Sequence, residues 1–260
     1  MSKFQIGAIV GAIVFFLILY LGFDTMPPKQ KELEKSRIFN LESTSISNLV
    51  QEAKAKLTPE QSSIIEAIHL DLNKVGSDSL KKVVILKSLS GTWYEMGYPA
   101  IAGSYAQDIA SIEKTGEAWS MAGTTYALCV KSDADEKTKE FCSKRAIKAF
   151  ENAISIMPDN VEARINLAIC YVDRPPTDNP MQGILILRDL NTKYPENVSV
   201  LNQLGKLALQ TNQIDKALER LEKAIELDPK NQNTICLLAE AYTTIKNAAK
   251  AAEYNKKCIN

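Results

Sequence analysis

Residues 201–229, LNQLGKLALQTNQIDKALERLEKAIELDP, decide the fold of this protein. Small residues such as Gly205 and Ala217 recur with leucines at the three- and four-residue spacing of amphipathic helices. The stretch therefore predicts two antiparallel helices in a hairpin. The small residues let the helices approach closely, large residues such as Leu204 and Leu221 fill the space between them, and Pro229 stops the second helix.

This arrangement of small and large residues occurs five times along the chain. The copies begin near Val83, Gly116, Val161, Val198 and Gln232, which lie 33, 45, 37 and 34 residues apart. The two long periods predict insertions between the helices of a hairpin, at about Val130–Phe141 and Asp173–Gln182, the first of them a charged loop. A recurring period near 34 residues is typical of an array of stacked hairpins.

The pattern resembles the tetratricopeptide repeat, because spacing and residue sizes agree from Val83 to Asn260. The resemblance implies an all-α fold, a solenoid of about five helical hairpins over residues 78–260. In this family the first helices line a concave groove that holds a peptide or a helix of a partner protein. The last copy departs from the pattern, with Asn255 in place of a large apolar residue and no closing proline.

The resemblance also implies which side chains point into the groove. In this sequence the corresponding positions include Lys87, Tyr94, Glu117, Ser120, Thr124, Glu162, Ile165, Ile169, Asn202, Lys206, Gln210, Asn233 and Glu240. The set mixes both charges with apolar residues. Members of this family that bind the terminal carboxylate of a partner protein carry Lys and Asn one helical turn apart on their first helices. Asn202 and Lys206 have that spacing in reversed order and without a second pair, so the sequence does not favour a carboxylate site.

A second feature is the apolar run Ile6–Phe23, IGAIVGAIVFFLILYLGF, which contains no charge. As a helix it would be about 27 Å long, close to the ~30 Å hydrocarbon core of a bilayer. A cleaved signal peptide usually has a shorter apolar region and a small-x-small cleavage site, which is missing here. We therefore expect a transmembrane helix over residues 6–23, after a short tail of residues 1–5.

Residues 24–77 are expected to form a linker and a helical stalk. Apolar residues of the segment Ile46–Leu57 share one helix face. Thr58 and Gln61 have the spacing of a capping box, which predicts a helix start, and Gly76 is expected to end that helix.

The composition argues against several functional classes. Lys plus Arg and Asp plus Glu are both 31, so the net charge is zero, which is unusual for a nucleic-acid-binding protein. His69 is the single histidine, and the sequence has no glycine-rich phosphate loop and no CxxC pair. We therefore expect no enzymatic activity, no cofactor, no metal and no nucleic acid partner. His69 itself is expected to be a surface or half-buried helix residue.

The cysteines bear on the compartment. The repeat pattern puts Cys129 at the end of one helix and Cys142 at the start of the next, so hairpin packing should return both to the same neighbourhood despite the insertion. We expect a disulfide between them, because a disulfide requires a Cα separation of about 5.5–6 Å and the hairpin should bring both residues within that reach. The alternative is two unlinked thiols in a cytosolic protein. Cys170, Cys236 and Cys258 are expected to be small core residues.

The charges around the apolar run bear on the side of the membrane that the C-terminal part faces. Lys29, Lys31, Lys35 and Arg37 follow the apolar run and favour the cytoplasm for the C-terminal part. A five-residue amino tail is nevertheless easily left inside, and a disulfide would imply an oxidising compartment. The expected location is therefore a single-pass inner membrane protein with a periplasmic solenoid.

The chain is similar to bacterial tetratricopeptide-repeat proteins with an amino-terminal anchor. This resemblance implies a membrane-anchored scaffold that docks a protein or peptide partner, in envelope assembly or protein translocation. Two alternatives stay open. One is a cytosol-facing import or sorting receptor on an organelle membrane, and the other is a self-assembling structural subunit, a homo-oligomer.

Overall fold

The computed structural model describes Gln5 and residues 45–258. The chain divides into two compact units, Met1–Asn48 and Leu49–Asn260. The predicted transmembrane helix at 6–23 lies outside the described residues. Within the described residues, no helix has the length and apolar character that would let it cross a membrane.

Every regular element in the described part of the chain is an α-helix, which confirms the predicted all-α class. The twelve helices are α1 Ile46–Lys54, α2 Pro59–Lys74, α3 Ser79–Glu95, α4 Pro99–Glu113, α5 Gly116–Val130, α6 Glu136–Ile156, α7 Val161–Asp173, α8 Gln182–Lys193, α9 Val198–Gln210, α10 Ile214–Leu227, α11 Gln232–Thr244 and α12 Ala248–Lys257. Consecutive helices from α3 to α12 pair into five hairpins, as the repeat predicted.

Small and large residues complement each other inside the hairpins. Gly123 of α5 lies against the ring of Phe150 of α6, so closely that an added Cβ atom would come within 2.8 Å of it. Gly205 of α9 faces Leu221 of α10 in the same way, at 2.7 Å. Phe150 and Leu221 are fully buried. The interpretation of the small positions as sites of close helix approach is confirmed.

Prolines and asparagines separate successive hairpins. The helices that precede Pro158, Pro195 and Pro229 end two residues before each proline. In each case an asparagine follows and caps the next helix, as Asn160 does by accepting a hydrogen bond from the backbone N–H of Ala163 at 2.9 Å. Each hairpin therefore ends and restarts on local sequence signals.

The first insertion differs from its prediction. Only residues 131–135 form the loop, while the charged residues from Glu136 onward extend α6 to 21 residues. Asp135 explains the difference, because its carboxylate accepts hydrogen bonds from the backbone N–H groups of Lys137 and Thr138 and from the Thr138 hydroxyl. This cap begins the helix earlier than the repeat pattern alone indicates. The second insertion is a loop between α7 and α8, as expected.

The segment that was expected to be a stalk contributes to the compact unit from Leu49 onward. Thr58 and Gln61 form the predicted capping box at the start of α2. Ile65 of α2 is buried. His69, half-buried, shares a 3.2 Å hydrogen bond with the Tyr105 hydroxyl of α4. Burial, with a smaller effect from the Lys54 charge, lowers the pKa of His69. Helix α2 therefore packs on the first hairpin.

Candidate docking groove

The first helices of hairpins one and two carry a stripe of exposed apolar side chains. Leu80 and Val84 of α3 are 83% and 67% exposed. Tyr94 lies further along α3, and Met121 and Leu128 of α5 are exposed as well. Most large apolar residues of a folded chain are buried, so several exposed ones on two neighbouring helices indicate a contact surface. We call these five residues the apolar stripe.

Part of the apolar stripe lines a cavity of about 670 Å³ between α3, α4 and α5. Tyr94, Met121 and Leu128 lie along its wall, and the buried residues Ala106 and Ile109 of α4 also line it. A cleft of this size with a mostly apolar lining suits a side-chain anchor of a bound segment. We call it the docking groove.

Three hydroxyl groups that line the docking groove already donate to partners within the protein. Ser90 donates to the carbonyl oxygen of Ala102 at 2.9 Å, and Thr124 and Thr125 donate to carbonyl oxygens one turn earlier on α5. Their hydroxyl groups therefore need no ligand to satisfy them. A partner would gain mainly from apolar burial here.

Charged side chains line the groove beside the apolar residues. The ammonium group of Lys87 lies 2.9 Å from the carboxylate of Glu113, and both side chains remain partly exposed. Glu117 is an exposed lining residue on α5. The lining thus holds two carboxylates against one ammonium, so its charge slightly favours a cationic group on a bound segment.

The structure brings four of the thirteen predicted groove residues to this cavity, namely Lys87, Tyr94, Glu117 and Thr124. Ser120 lies on α5 with a buried hydroxyl oxygen that has no hydrogen-bond partner. Ile169 is half-buried and packs against the core of the third and fourth hairpins. The remaining predicted residues that are exposed lie on later first helices, away from the cavity: Glu162, Lys206, Gln210, Asn233 and Glu240.

Two predicted groove residues are buried, and for them the prediction was wrong. Ile165 is only 2% exposed and belongs to a core cluster with Leu187 and Val200. Asn202, on α9, is also 2% exposed, because the start of α11 packs over it.

The hydrogen bonds of Asn202 explain its burial. Its amide nitrogen donates to Asn231 at 3.2 Å, and its amide oxygen accepts from the Thr234 hydroxyl at 2.8 Å. Thr234 is fully buried. Asn202 thus joins two neighbouring hairpins and is not available for a ligand.

Sequence reasoning missed most of the apolar stripe. The repeat positions that the resemblance places in the groove include Tyr94 but not Leu80, Val84, Met121 or Leu128. A signal was present, since Leu80 and Val84 are one turn apart and lie on the face of α3 that also carries Lys87 and Tyr94. Core residues share that spacing, so only the neighbouring helices decide that this face stays uncovered.

The cysteines form two disulfides. Cys129 and Cys142 are bonded, with their Cα atoms 6.1 Å apart, so the predicted proximity is confirmed. Cys236 and Cys258 are also bonded, at a Cα separation of 4.9 Å, and their prediction as unpaired core residues was wrong. They meet because α11 and α12 run antiparallel. Cys170 is a buried free thiol, as expected, and burial raises its pKa to about 12.

Comparison with known proteins supports the repeat assignment. Residues 198–231 match the family model described as the tetratricopeptide repeat. Anaphase-promoting complex subunit 3 of Dictyostelium discoideum is 31% identical over 83 residues, which is 32% of this chain. The chain spans only 8% of that relative's length.

Two solved structures are similar to this chain, and the first of them supports a shared fold. The APC/C hetero-tetramer Cut9-Hcn1 matches with a TM-score of 0.52 and 16% identity over 82% of this chain and 38% of the other. MamA from Desulfovibrio magneticus RS-1, residue 41 to the end, has a TM-score of 0.45 and 18% identity over 70% of this chain and 94% of its own. The described residues therefore form an all-α array of helical hairpins, in which residues 198–231 match the tetratricopeptide repeat.

Proposed function

We propose that this protein is a non-enzymatic docking scaffold that binds an amphipathic helix of a partner protein in the docking groove. The observation that carries the proposal is the apolar stripe of Leu80, Val84, Tyr94, Met121 and Leu128 beside a cavity of about 670 Å³. Stacked hairpins hold such a groove open before binding, so the scaffold loses little conformational entropy when a partner docks.

The chemistry of the groove suggests the features of its partner. Apolar side chains one turn apart on α3 (Leu80 and Val84) and two turns apart on α5 (Met121 and Leu128) match a helix that presents apolar residues at i, i+4 and i+7. Glu117 would favour a lysine or arginine at the edge of that helix. The first helices of the later hairpins expose mainly polar side chains, such as Lys206 and Glu240, so the proposed site is confined to hairpins one and two.

We further propose that the solenoid is anchored by residues 6–23 and faces an oxidising compartment, the periplasm. The charge-free apolar run supports the anchor. Two disulfides support the compartment, since such bonds rarely persist in a reducing cytosol. Trapping thiols in intact cells tests this part. With the reagent kept present while the protein is denatured, one alkylated cysteine per chain is expected, the buried Cys170, and five would contradict the location.

A photo-crosslinking amino acid at Met121 tests the docking site. We expect it to capture a discrete partner in native membranes, which mass spectrometry identifies and peptide mapping locates to a helix. The matched control is the same amino acid at Met181, which is 52% exposed but outside the groove, against 67% for Met121. Equal capture from both positions would contradict a site in the groove.

Gly91→Gln provides a second test within the groove. Gly91 lines the cavity, and a Cβ atom there would meet nothing within 4 Å, so the longer side chain should enter the groove without disturbing the fold. We expect Gly91→Gln to abolish capture at Met121 while the circular dichroism spectrum is unchanged. Undiminished capture would show that the partner binds elsewhere.

A further inference from the structure

Two cysteines close the last described hairpin at the end opposite its turn. Helices α11 and α12 are joined by a short turn at Ile245–Asn247, where Lys246 has a left-handed φ of 59°. Cys236 lies in the second turn of α11, and Cys258 directly follows α12. The bond between them therefore fastens the far end of α12, while the turn fastens its near end.

Side-chain packing alone holds α12 weakly. None of its residues is buried, whereas each of the other four second helices buries at least three. Its apolar contacts come from Ala251 and Tyr254, which pack partly buried against the core cluster of hairpins four and five. The Tyr254 ring stacks on Tyr242 at 5.6 Å between centroids. A ten-residue helix with this little burial depends on its covalent attachments.

Polar contacts add little to this attachment. The ammonium group of Lys250 lies 2.7 Å from the Tyr242 hydroxyl and 3.3 Å from the carboxylate of Glu222. The Lys250 and Glu222 side chains remain about half exposed, so solvent screens their interaction. Lys257 contacts Glu253 at 2.6 Å and lies over the ring of Tyr254 at 5.6 Å, and both partners belong to the same helix. All of these contacts involve residues of α12 that precede Cys258.

We propose that the Cys236–Cys258 disulfide is a redox-sensitive attachment that controls whether α12 covers α11. Both cysteines are half-buried, within reach of a small dithiol reductant. The reductant's first thiolate attacks one sulfur and breaks the bond. Its second thiol then displaces the mixed disulfide, which leaves two protein thiols and an oxidised, cyclic reductant. Release of α12 would uncover apolar residues of α11 such as Tyr242.

The second disulfide has a different role. Cys129 and Cys142 are both fully buried, in a cluster with Tyr126 and Phe150. Their helices α5 and α6 bury many residues of their own, so breaking this bond should not separate them. Breaking the Cys129–Cys142 bond is therefore the matched control, because it removes a disulfide without releasing a helix.

Hydrogen exchange on the full chain in detergent, followed by mass spectrometry, tests the proposal. In Cys129→Ala/Cys142→Ala, only the proposed attachment remains as a disulfide. Adding a dithiol reductant to this variant should speed exchange of the α12 amides at least about tenfold. In Cys236→Ala/Cys258→Ala, the same amides should exchange fast with or without reductant. Amides of α9 and α10 serve as the internal reference in both variants.

The outcomes separate the proposal from its alternatives. Reductant-dependent exchange confined to α12 supports the attachment. Unchanged protection of α12 after complete reduction, verified by thiol counting, would overturn it and show that packing alone holds the helix. Loss of protection in α9 and α10 as well would also overturn it, since the bond would then support the whole solenoid. The test does not depend on the docking groove.

Discussion

At the scale of single residues, glycine permits a close approach between neighbouring helices. A Cβ atom added at Gly183 would overlap the carbonyl oxygen of Ala168 and lie 2.9 Å from the backbone nitrogen of Val172. Backbone atoms cannot yield as the end of a flexible side chain can. The approach of α8 to α7 therefore requires glycine at this position.

We expect Gly183→Ala to lower the free energy of unfolding by about 1–3 kcal/mol, because the extra methyl group forces the two helices apart. Urea denaturation followed by circular dichroism measures the change. Gly91→Ala is the matched control, since a Cβ atom there meets no atom within 4 Å. It should raise the free energy of unfolding by about 0.5–1 kcal/mol, because alanine favours a helix interior. Equal effects of the two variants would contradict the proposed helix contact.

Cys170 should be chemically silent in the folded protein. Burial, the largest effect, raises its pKa from 9.0 to about 12, and only the thiolate reacts with alkylating reagents. At pH 8 the thiolate population is thus lowered about 1,000-fold. We expect the oxidised, native protein to take up almost no iodoacetamide, and the urea-unfolded protein to take up one equivalent. Rapid labelling of the native protein would contradict the burial of this thiol.

At the scale of helices, caps determine where elements begin. The clearest case is Asp135, whose carboxylate accepts three hydrogen bonds and starts α6 six residues before Cys142 would have started it. These bonds, the one from the Thr138 side chain first, lower the pKa of Asp135 below its usual 3.8. The ionised form is therefore the better cap.

The cap of α6 should depend on pH. Because the folded pKa is the lower one, the unfolded chain binds the proton first as pH falls. The charge of Asp135 therefore adds to the free energy of unfolding above the unfolded pKa of 3.8. This stabilisation is lost as the pH falls through the lower folded pKa. We expect Asp135→Ala to cost about 1 kcal/mol at neutral pH. Asp135→Asn caps the helix without a charge, so it should lower the free energy of unfolding by less than Asp135→Ala does. The difference between the parent chain and Asp135→Asn should vanish in acid.

Urea denaturation of the two variants and the parent chain, from pH 7 to about pH 2.5, measures this dependence. A constant difference between the parent chain and Asp135→Asn over that range would show that the charge of Asp135 contributes nothing to the cap.

At the scale of the whole molecule, stability arises between neighbouring helices. Each hairpin buries its apolar residues against the adjacent ones, as the cluster of Ile165, Leu187 and Val200 illustrates. Helix α2 packs against the first hairpin, where its His69 shares a hydrogen bond with Tyr105 of α4. A solenoid of this kind should fold without the apolar run at 6–23.

We therefore expect a fragment of residues 45–260 to be water-soluble and strongly helical by circular dichroism. Its stability comes from contacts between successive hairpins, none of which requires residues 6–23. Size-exclusion chromatography with light scattering on the same fragment tests self-association. A spectrum with substantial strand content, or a fragment that aggregates without detergent, would contradict this expectation.

Local features of the sequence were sufficient to predict the hairpins. The spacing of Gly205, Ala217 and Leu221 specifies close helix pairs, because helix periodicity depends on residues three or four apart. Capping signals such as Thr58 with Gln61 act over the same short distances, and their prediction was confirmed. The pairing of Cys129 with Cys142 also followed, since both belong to one hairpin.

Tertiary structure decided the features that depend on how hairpins stack. Asn202 is buried because Thr234 of the next hairpin hydrogen-bonds to it, a contact between residues 32 positions apart. Met121 is exposed although its spacing resembles that of a core residue, because none of the described helices covers it. Cys236 and Cys258 pair because α12 returns along α11. Helix periodicity states which residues share a face, and only the packed neighbours determine whether that face is covered.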